Sequence, residues 1–159
     1  DVDRQLCREI TEQTGIPATT SMLSQIKAFE KFDVKKIHLI TPYTEDINEL
    51  IIKEYQKCGV EVVHSVCLKQ FVNRSFALVP QEKIQAMFEK VCTAPADGIS
   101  VVCTNFPAMW SVPAMEKKYG MTVYDTINTV VWDTMQMVGI EPSFVKGWGE
   151  LFNKKNNSR

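Results

Sequence analysis

Apolar residues follow two different spacings along this chain. Short runs rich in Val and Ile predict strands at residues 36–41, 60–66, 99–103 and 121–124, with a further short strand at 16–18. Between these runs, apolar residues recur every three or four positions, as they do on one face of a helix. Helices are predicted over residues 1–14, after Thr20, after Thr44, after Pro80, in a short stretch ending at Gly120, and over about 126–138. This alternation predicts an α/β fold with a mostly parallel sheet and flanking helices.

The helix after Thr44 has a predicted inner face and a predicted end. Its apolar residues at helical spacing are expected to face the sheet, and they are Ile47, Leu50, Ile51, Tyr55 and Cys58. Gly59 is suited to end this helix, because glycine readily adopts the left-handed conformation of a helix terminus. Residues 67–79 and 104–112 have no clear period and are predicted to be a linker and a loop.

Length and charge restrict the class of protein. A chain of 159 residues is long enough for one domain with a real core. The formal net charge of −1 creates no field that would attract a polyanion, so no nucleic-acid partner is expected. The basic residues Lys154, Lys155 and Arg159 are interpreted as a solvated chain end. No apolar run approaches the ~20 residues that span a bilayer, so no membrane partner is expected either.

The cysteines and histidines argue against a metal centre. There are five cysteines, with no C-x-x-C pair, so we expect reduced thiols and a cytoplasmic location. The charged start of the sequence has no apolar segment of the kind found in secretion signals. His38 and His64 lie within predicted strands and are interpreted as structural residues rather than metal ligands. No glycine-rich nucleotide motif follows any strand, so the sequence does not support nucleotide binding.

Candidate chemistry collects where the predicted strands end. Ligands of open α/β sheets bind at the carboxyl ends of the strands. The residues just past those ends are Tyr43 and its neighbours, Asn73 to Ser75, Cys103 to Asn105, and Asp125 with Thr126. Cys103 follows an apolar strand, and backbone N–H groups there could bind an anion and favour a thiolate. The alternatives are a buried, inert thiol for Cys103 and a hydroxyl in water for Tyr43.

Six runs of residues carry a family resemblance by their order and spacing. They are TGIPATT at 14–20, IHLITPY at 37–43, ADGI at 96–99, CTN at 103–105, YDT at 124–126 continuing to Trp132, and GWG at 147–149. Together they resemble the maleate isomerase and arylmalonate decarboxylase group of the aspartate/glutamate racemase superfamily. The resemblance implies a two-lobed, pseudo-symmetric Rossmann-like fold with the active site between the lobes, and neither cofactor nor metal.

The resemblance also implies domain boundaries. Residues 1–32 would be the remnant of a first lobe with its crossover helix, and residues 33–125 the second α/β lobe. Residues 126–159 would be a C-terminal helix and tail that return to the first lobe. The catalytic loop of the first lobe has no counterpart in these residues, and a homo-oligomer formed through the face that this lobe would cover is a further expectation.

Site roles follow from the same resemblance. Cys103 matches the catalytic thiol of the second lobe, and Tyr43 and Asn73 match residues that bind a substrate carboxylate. Thr104 and Asn105 would add hydrogen-bond donors. The implied activity is a maleate isomerase-like reaction on a small carboxylate substrate. The alternatives are an arylmalonate decarboxylase-like lyase, an amino-acid or hydantoin racemase, and a catalytically incomplete binding protein.

Overall fold

The computed structural model describes residues 2–154, which alternate between helices and strands. In chain order the elements are α1 Val2–Thr14, α2 Ser21–Lys31, β1 Lys36–Thr41, α3 Glu45–Lys57, β2 Glu61–Cys67, α4 Asn73–Phe76, α5 Gln81–Val91, β3 Gly98–Val101, α6 Val112–Tyr119, β4 Thr122–Asp125 and α7 Thr126–Met137. Three short 3-10 helices lie at Pro107–Ser111, Pro142–Phe144 and Glu150–Asn153. The predicted solvated end at Lys155 and Arg159 lies outside the described residues.

All four strands are parallel and form one sheet in the order β2-β1-β3-β4. Ile40 pairs with Val101, and Val101 pairs with Asp125 on its other side, so β1, β3 and β4 end together. The two central strands are almost wholly buried, whereas the edge strand β2 is partly exposed. The α/β fold with a parallel sheet is therefore confirmed.

Each face of the sheet carries its own apolar cluster. One cluster joins α5 and α6 to the sheet through residues such as Phe88, Ile99 and Val123. The other joins α2, α3 and α7 through residues such as Phe29 and Trp132. Successive strand residues point to opposite faces, so a sheet covered by helices on both sides needs nearly continuous apolar strands. That requirement explains the runs from which the strands were predicted.

Several local predictions were wrong or shifted. Residues 16–18 form no strand and lie off the sheet, in an extended link between α1 and α2. The second strand starts and ends one residue later than predicted, and β3 ends at Val101 instead of at Cys103. The linker 67–79 contains the one-turn helix α4, and the loop 104–112 contains a 3-10 helix. These are differences at element ends and in loops, where the apolar period carries little information.

The inner face of α3 was assigned wrongly in part. Tyr55 is fully buried and Ile51 is half-buried, but Ile47 and Leu50 are 40% and 54% exposed, and Cys58 is exposed. The polar residue Asn48 points inward instead, and its Oδ1 accepts a hydrogen bond from Thr41 Oγ1 at 2.9 Å. Its amide also donates to Ser65 Oγ at 3.2 Å. The side chain of Asn48 thus joins the end of β1 to β2, which an apolar stripe cannot reveal.

Helix α1 forms as predicted, but it buries none of its side chains within the described residues. Its apolar residues Val2, Leu6 and Ile10 are 81%, 48% and 40% exposed. The hydroxyl of Thr20, which caps α2, donates to Asp3 Oδ2 at 2.8 Å and ties the two helices together. Among the described residues no helix is both long and apolar enough to cross a membrane.

Candidate active site

The carboxyl edge of the sheet brings two distant loops side by side. Strand β1 ends at Thr41 and turns through Pro42 to Tyr43, while its neighbour β3 leads through Val102 to Cys103. A third loop folds over the same edge, because the backbone N–H groups of Lys69 and Gln70 donate to the carbonyls of Tyr43 and Pro42, each at 3.0 Å. The loops after β1, β2 and β3 therefore meet at one place.

The side chains of Tyr43 and Cys103 line the same pocket and are close enough to influence each other electrostatically. The ring of Tyr43 packs edge-on against Phe76, with centroids 5.4 Å apart. Burial, and then the neighbouring Cys103 side chain, raise the pKa of Tyr43 above its ordinary value of 10.0. The phenol is thus a neutral hydrogen-bond donor throughout the neutral pH range.

A pocket of about 450 Å³ contains all five residues that the sequence singled out. It is lined by Tyr43, Asn73, Cys103, Thr104 and Asn105, together with residues of the loop 68–72 and the start of α3. Cys103 is only 5% exposed, yet it borders this pocket, so its thiol can meet a small ligand. A volume of this size suits a small molecule.

Two amides join the walls of the pocket. The side-chain Nδ2 of Asn105 donates to the carbonyl of Asn73 at 2.9 Å and to its Oδ1 at 3.2 Å. This contact links the loop after β3 to the first turn of α4. It also orients both amides at the rim, where they could turn toward a carboxylate.

The electrostatics of the pocket favour recognition by neutral groups. Asp46 is the one charged residue among the described residues that line it. A hydrogen bond with the Thr44 side chain lowers the pKa of Asp46, which keeps this group ionised. An anionic substrate would therefore be held by hydroxyl, amide and backbone N–H donors, which bind a carboxylate without a fixed positive charge.

Sequence reasoning pointed to the turn after β4 but assigned no role to its residues. The hydroxyl of Thr126 accepts a hydrogen bond from the backbone N–H of Cys103 at 3.3 Å. Asp125, which precedes it, is the N-cap of α7 and accepts from the N–H of Ile127 at 2.8 Å. Burial raises the pKa of Asp125 to about 7. The detectable signal was an Asx-type cap directly after a strand, at the edge where Cys103 emerges.

The histidines occupy structural positions away from this pocket. His38 is buried in β1, and its Nε2 lies 2.9 Å from the carbonyl oxygen of Ala94. Its ring stacks on His64 at a centroid distance of 5.5 Å. Within residues 2–154 no cluster of three or more His, Cys, Asp or Glu side chains could hold a metal ion.

Comparison with known proteins places this arrangement in a family. The family model described as arylmalonate decarboxylase matches residues 1–152. The chain belongs to this family. Among curated proteins, it is 23% identical to an arylmalonate decarboxylase of Bordetella bronchiseptica, over 90% of this chain and 60% of that protein. It is 25% identical to a maleate isomerase of Alcaligenes faecalis, over 77% of this chain and 48% of that protein.

A solved structure shows the same fold. A maleate isomerase variant from Pseudomonas putida S16, solved with maleate, superimposes with a TM-score of 0.89 at 19% identity, over 97% of this chain and 62% of the other. The chain thus spans about half to two-thirds of the length of the relatives it matches. Both of these curated relatives are enzymes, one described as a decarboxylase and the other as an isomerase.

Proposed function

We propose that this chain is part of a cofactor-independent isomerase that acts on a small carboxylic or dicarboxylic acid of the maleate type, with Cys103 as its catalytic thiol. The observation that carries the proposal is that the Tyr43 phenol and the Cys103 thiol, from the loops after two neighbouring strands, line one shared pocket. An acid–base thiol must be able to meet the substrate, and Cys103 borders the pocket in which a small acid would lie. We also propose that the protein is located in the cytoplasm.

In the proposed reaction, Cys103 handles a proton and its neighbours hold the substrate. A nucleophile adds to one carbon of the cis double bond, and Cys103 delivers a proton to the adjacent carbon, so the double bond becomes a single bond. Rotation about that bond is followed by the reverse steps: Cys103 recovers the proton and the nucleophile leaves, which gives the trans acid. We assign residues 33–125 to the lobe that carries Cys103, and place the nucleophile on the first lobe of the whole protein.

The proposed carboxylate ligands all present neutral donors. Tyr43 donates from its phenol, Thr104 from its hydroxyl, and Asn73 and Asn105 from their amides. During proton transfer, negative charge grows on the substrate carboxylate next to the reacting carbon. Donors already fixed at that position stabilise the charge without having to reorganise, which is where this kind of site gains most of its rate.

A decarboxylase is the second candidate, and the family match favours it. One carboxylate of a substituted malonate leaves as carbon dioxide, and its bonding electron pair stays on the substrate as an enediolate. The same donors hold the enediolate oxygens, and Cys103 delivers one proton to the carbon. This reaction needs a single thiol, whereas the isomerisation needs a second reacting group.

The experiment compares both reactions in the intact protein and in single variants. Conversion of maleate to fumarate is followed by proton NMR, and release of carbon dioxide from an aryl-substituted malonate is followed in parallel. We expect Cys103→Ala to lose at least about 100-fold in rate, since acid–base groups contribute at least that much. Cys58→Ala is the matched control, because Cys58 is exposed at the end of α3. Undiminished turnover in Cys103→Ala excludes the proposal, and carbon dioxide release without isomerisation selects the decarboxylase.

A further inference from the structure

The turn between β4 and α7 contains a buried acid with an unused oxygen. Asp125 is fully buried, and its Oδ1 accepts the N–H of Ile127. Its other oxygen, Oδ2, is buried without a hydrogen-bond partner among the described residues. Buried polar atoms of folded proteins nearly always have a partner, so this atom needs an explanation. A proton on that oxygen removes the charge that would otherwise be buried with it.

This turn is connected directly to the loop of Cys103. Asp125 pairs with Val101 in the sheet, two residues before Cys103. The residue after Asp125 is Thr126, whose hydroxyl holds the backbone N–H of Cys103. Because Asp125 caps α7, it fixes the first turn of the helix and therefore the position of the Thr126 hydroxyl.

We propose that Asp125 is a positioning residue for Cys103: its protonated carboxyl holds the β4–α7 turn closed, and its ionisation loosens that turn and releases the Cys103 loop. The role of this loop in catalysis rests on the function proposed above, but the coupling between the two residues does not. At the pH where Asp125 loses its proton, the buried charge would have only the helix N–H groups as partners. Local opening of the turn would let water reach it.

Charged groups on the neighbouring elements do not contribute to the pKa of Asp125. The titratable residues on the elements that pack against β4 are Lys27, Glu30, Lys31, Cys103, Glu116, Lys117, Lys118, Tyr119, Asp133, Glu150 and Lys154. Glu116 accepts from the N–H groups of Val123 and Glu150, and Asp133 pairs with Lys27. The pKa of Asp125 is raised by burial and lowered by the N–H groups of Ile127 and Asn128, with no charged side chain contributing. The proton on Asp125 thus depends on how well the turn excludes water.

The test measures how fast the Cys103 thiol reacts with iodoacetamide as a function of pH. Peptide mass spectrometry separates Cys103 from the other cysteines. Formation of the thiolate is common to wild type and Asp125→Asn, so it cancels in the ratio of their rate constants. We expect this ratio, wild type over variant, to stay level on the acid side and to rise about three-fold or more above neutral pH, where only the wild type can open the turn by ionisation.

Two further variants make the test specific. Asp133→Asn removes another buried carboxylate of α7 that has its own partners, and it is expected to keep the wild-type profile. Thr126→Val removes the acceptor for the Cys103 N–H and is expected to speed the reaction at every pH while weakening the pH step. If Asp125→Asn does not fold, Asp125→Ser keeps a helix cap without a carboxyl.

The outcomes test the role of Asp125 separately from the function proposed above. A ratio that does not change with pH overturns the role of Asp125, whatever activity the protein has. A pH step in the ratio without turnover of either acid supports the coupling and counts against the proposed function. A ratio of wild type over Asp133→Asn that shows the same pH step overturns the assignment to Asp125.

Discussion

The buried carboxyl of Asp125 makes a strong prediction about folding stability. Its pKa is 3.8 in an unfolded chain and about 7 in the folded protein. Between these values the folded chain keeps a proton that the unfolded chain has released. The free energy of unfolding therefore falls as pH rises from about 4 to about 7, and stays low above that range. A difference of about three pH units corresponds to roughly 4 kcal/mol.

The substitution Asp125→Asn removes this dependence but adds a fixed cost. The amide oxygen of Asn can still accept the N–H of Ile127, so the cap of α7 is retained. Its new NH₂ group has two N–H donors where the protonated Oδ2 has one O–H, and one more buried donor without a partner costs about 1–3 kcal/mol. The variant should be less stable than wild type near pH 4 and more stable by about 1–3 kcal/mol near pH 8, so the two curves cross.

Urea unfolding at several pH values measures both curves. Tryptophan fluorescence, to which the buried Trp132 contributes, follows the loss of the core. Asp46→Asn is the control, because the pKa of Asp46 is lowered and its contribution is lost only as pH falls below the ordinary value of 3.8. Parallel curves for wild type and Asp125→Asn would show that the carboxyl is not held protonated, and the reasoning about its burial would fail.

Two further predictions concern the packing that supports the site. The Tyr55 hydroxyl is fully buried and donates to Gln25, so Tyr55→Phe should lower the unfolding free energy by about 1–3 kcal/mol. The control Tyr119→Phe, at a partly exposed position, should lower it by less than about 0.5 kcal/mol. Equal losses for the two variants in urea unfolding would contradict the importance of the buried hydrogen bond of Tyr55. In Gly98→Ala the new Cβ would lie 2.7 Å from Cε2 of Tyr124, so overpacking should cost about 1–3 kcal/mol. If Gly98→Ala has the melting temperature of wild type, the Tyr124 ring can move aside and the expected overpacking does not occur.

The apolar period predicted the elements well and the polar contacts poorly. Strands and helices were recognisable because a sheet covered on both sides imposes apolar runs, and helices impose a three-to-four spacing. The face of α3 was assigned wrongly because an apolar stripe identifies what could be buried, not which neighbour is there to cover it. Asn48 points inward because Thr41 and Ser65 offer it hydrogen bonds, and those partners are known only once β1 and β2 are paired.

The sequence predicted that the site lies at the carboxyl edge of the sheet. Which loops lie next to each other at that edge depends on the order of the strands, which the sequence does not reveal. Tyr43 and Cys103 lie in loops after β1 and β3, which are not consecutive strands in the sequence. The order β2-β1-β3-β4 places them together, because the chain leaves β1 toward one side and continues from β3 toward the other. Loops that follow two such strands diverge and leave a crevice between them, where ligands of this fold class bind. Had β3 paired with β2 instead, the same residues would border different loops, and the phenol and the thiol would not share a pocket.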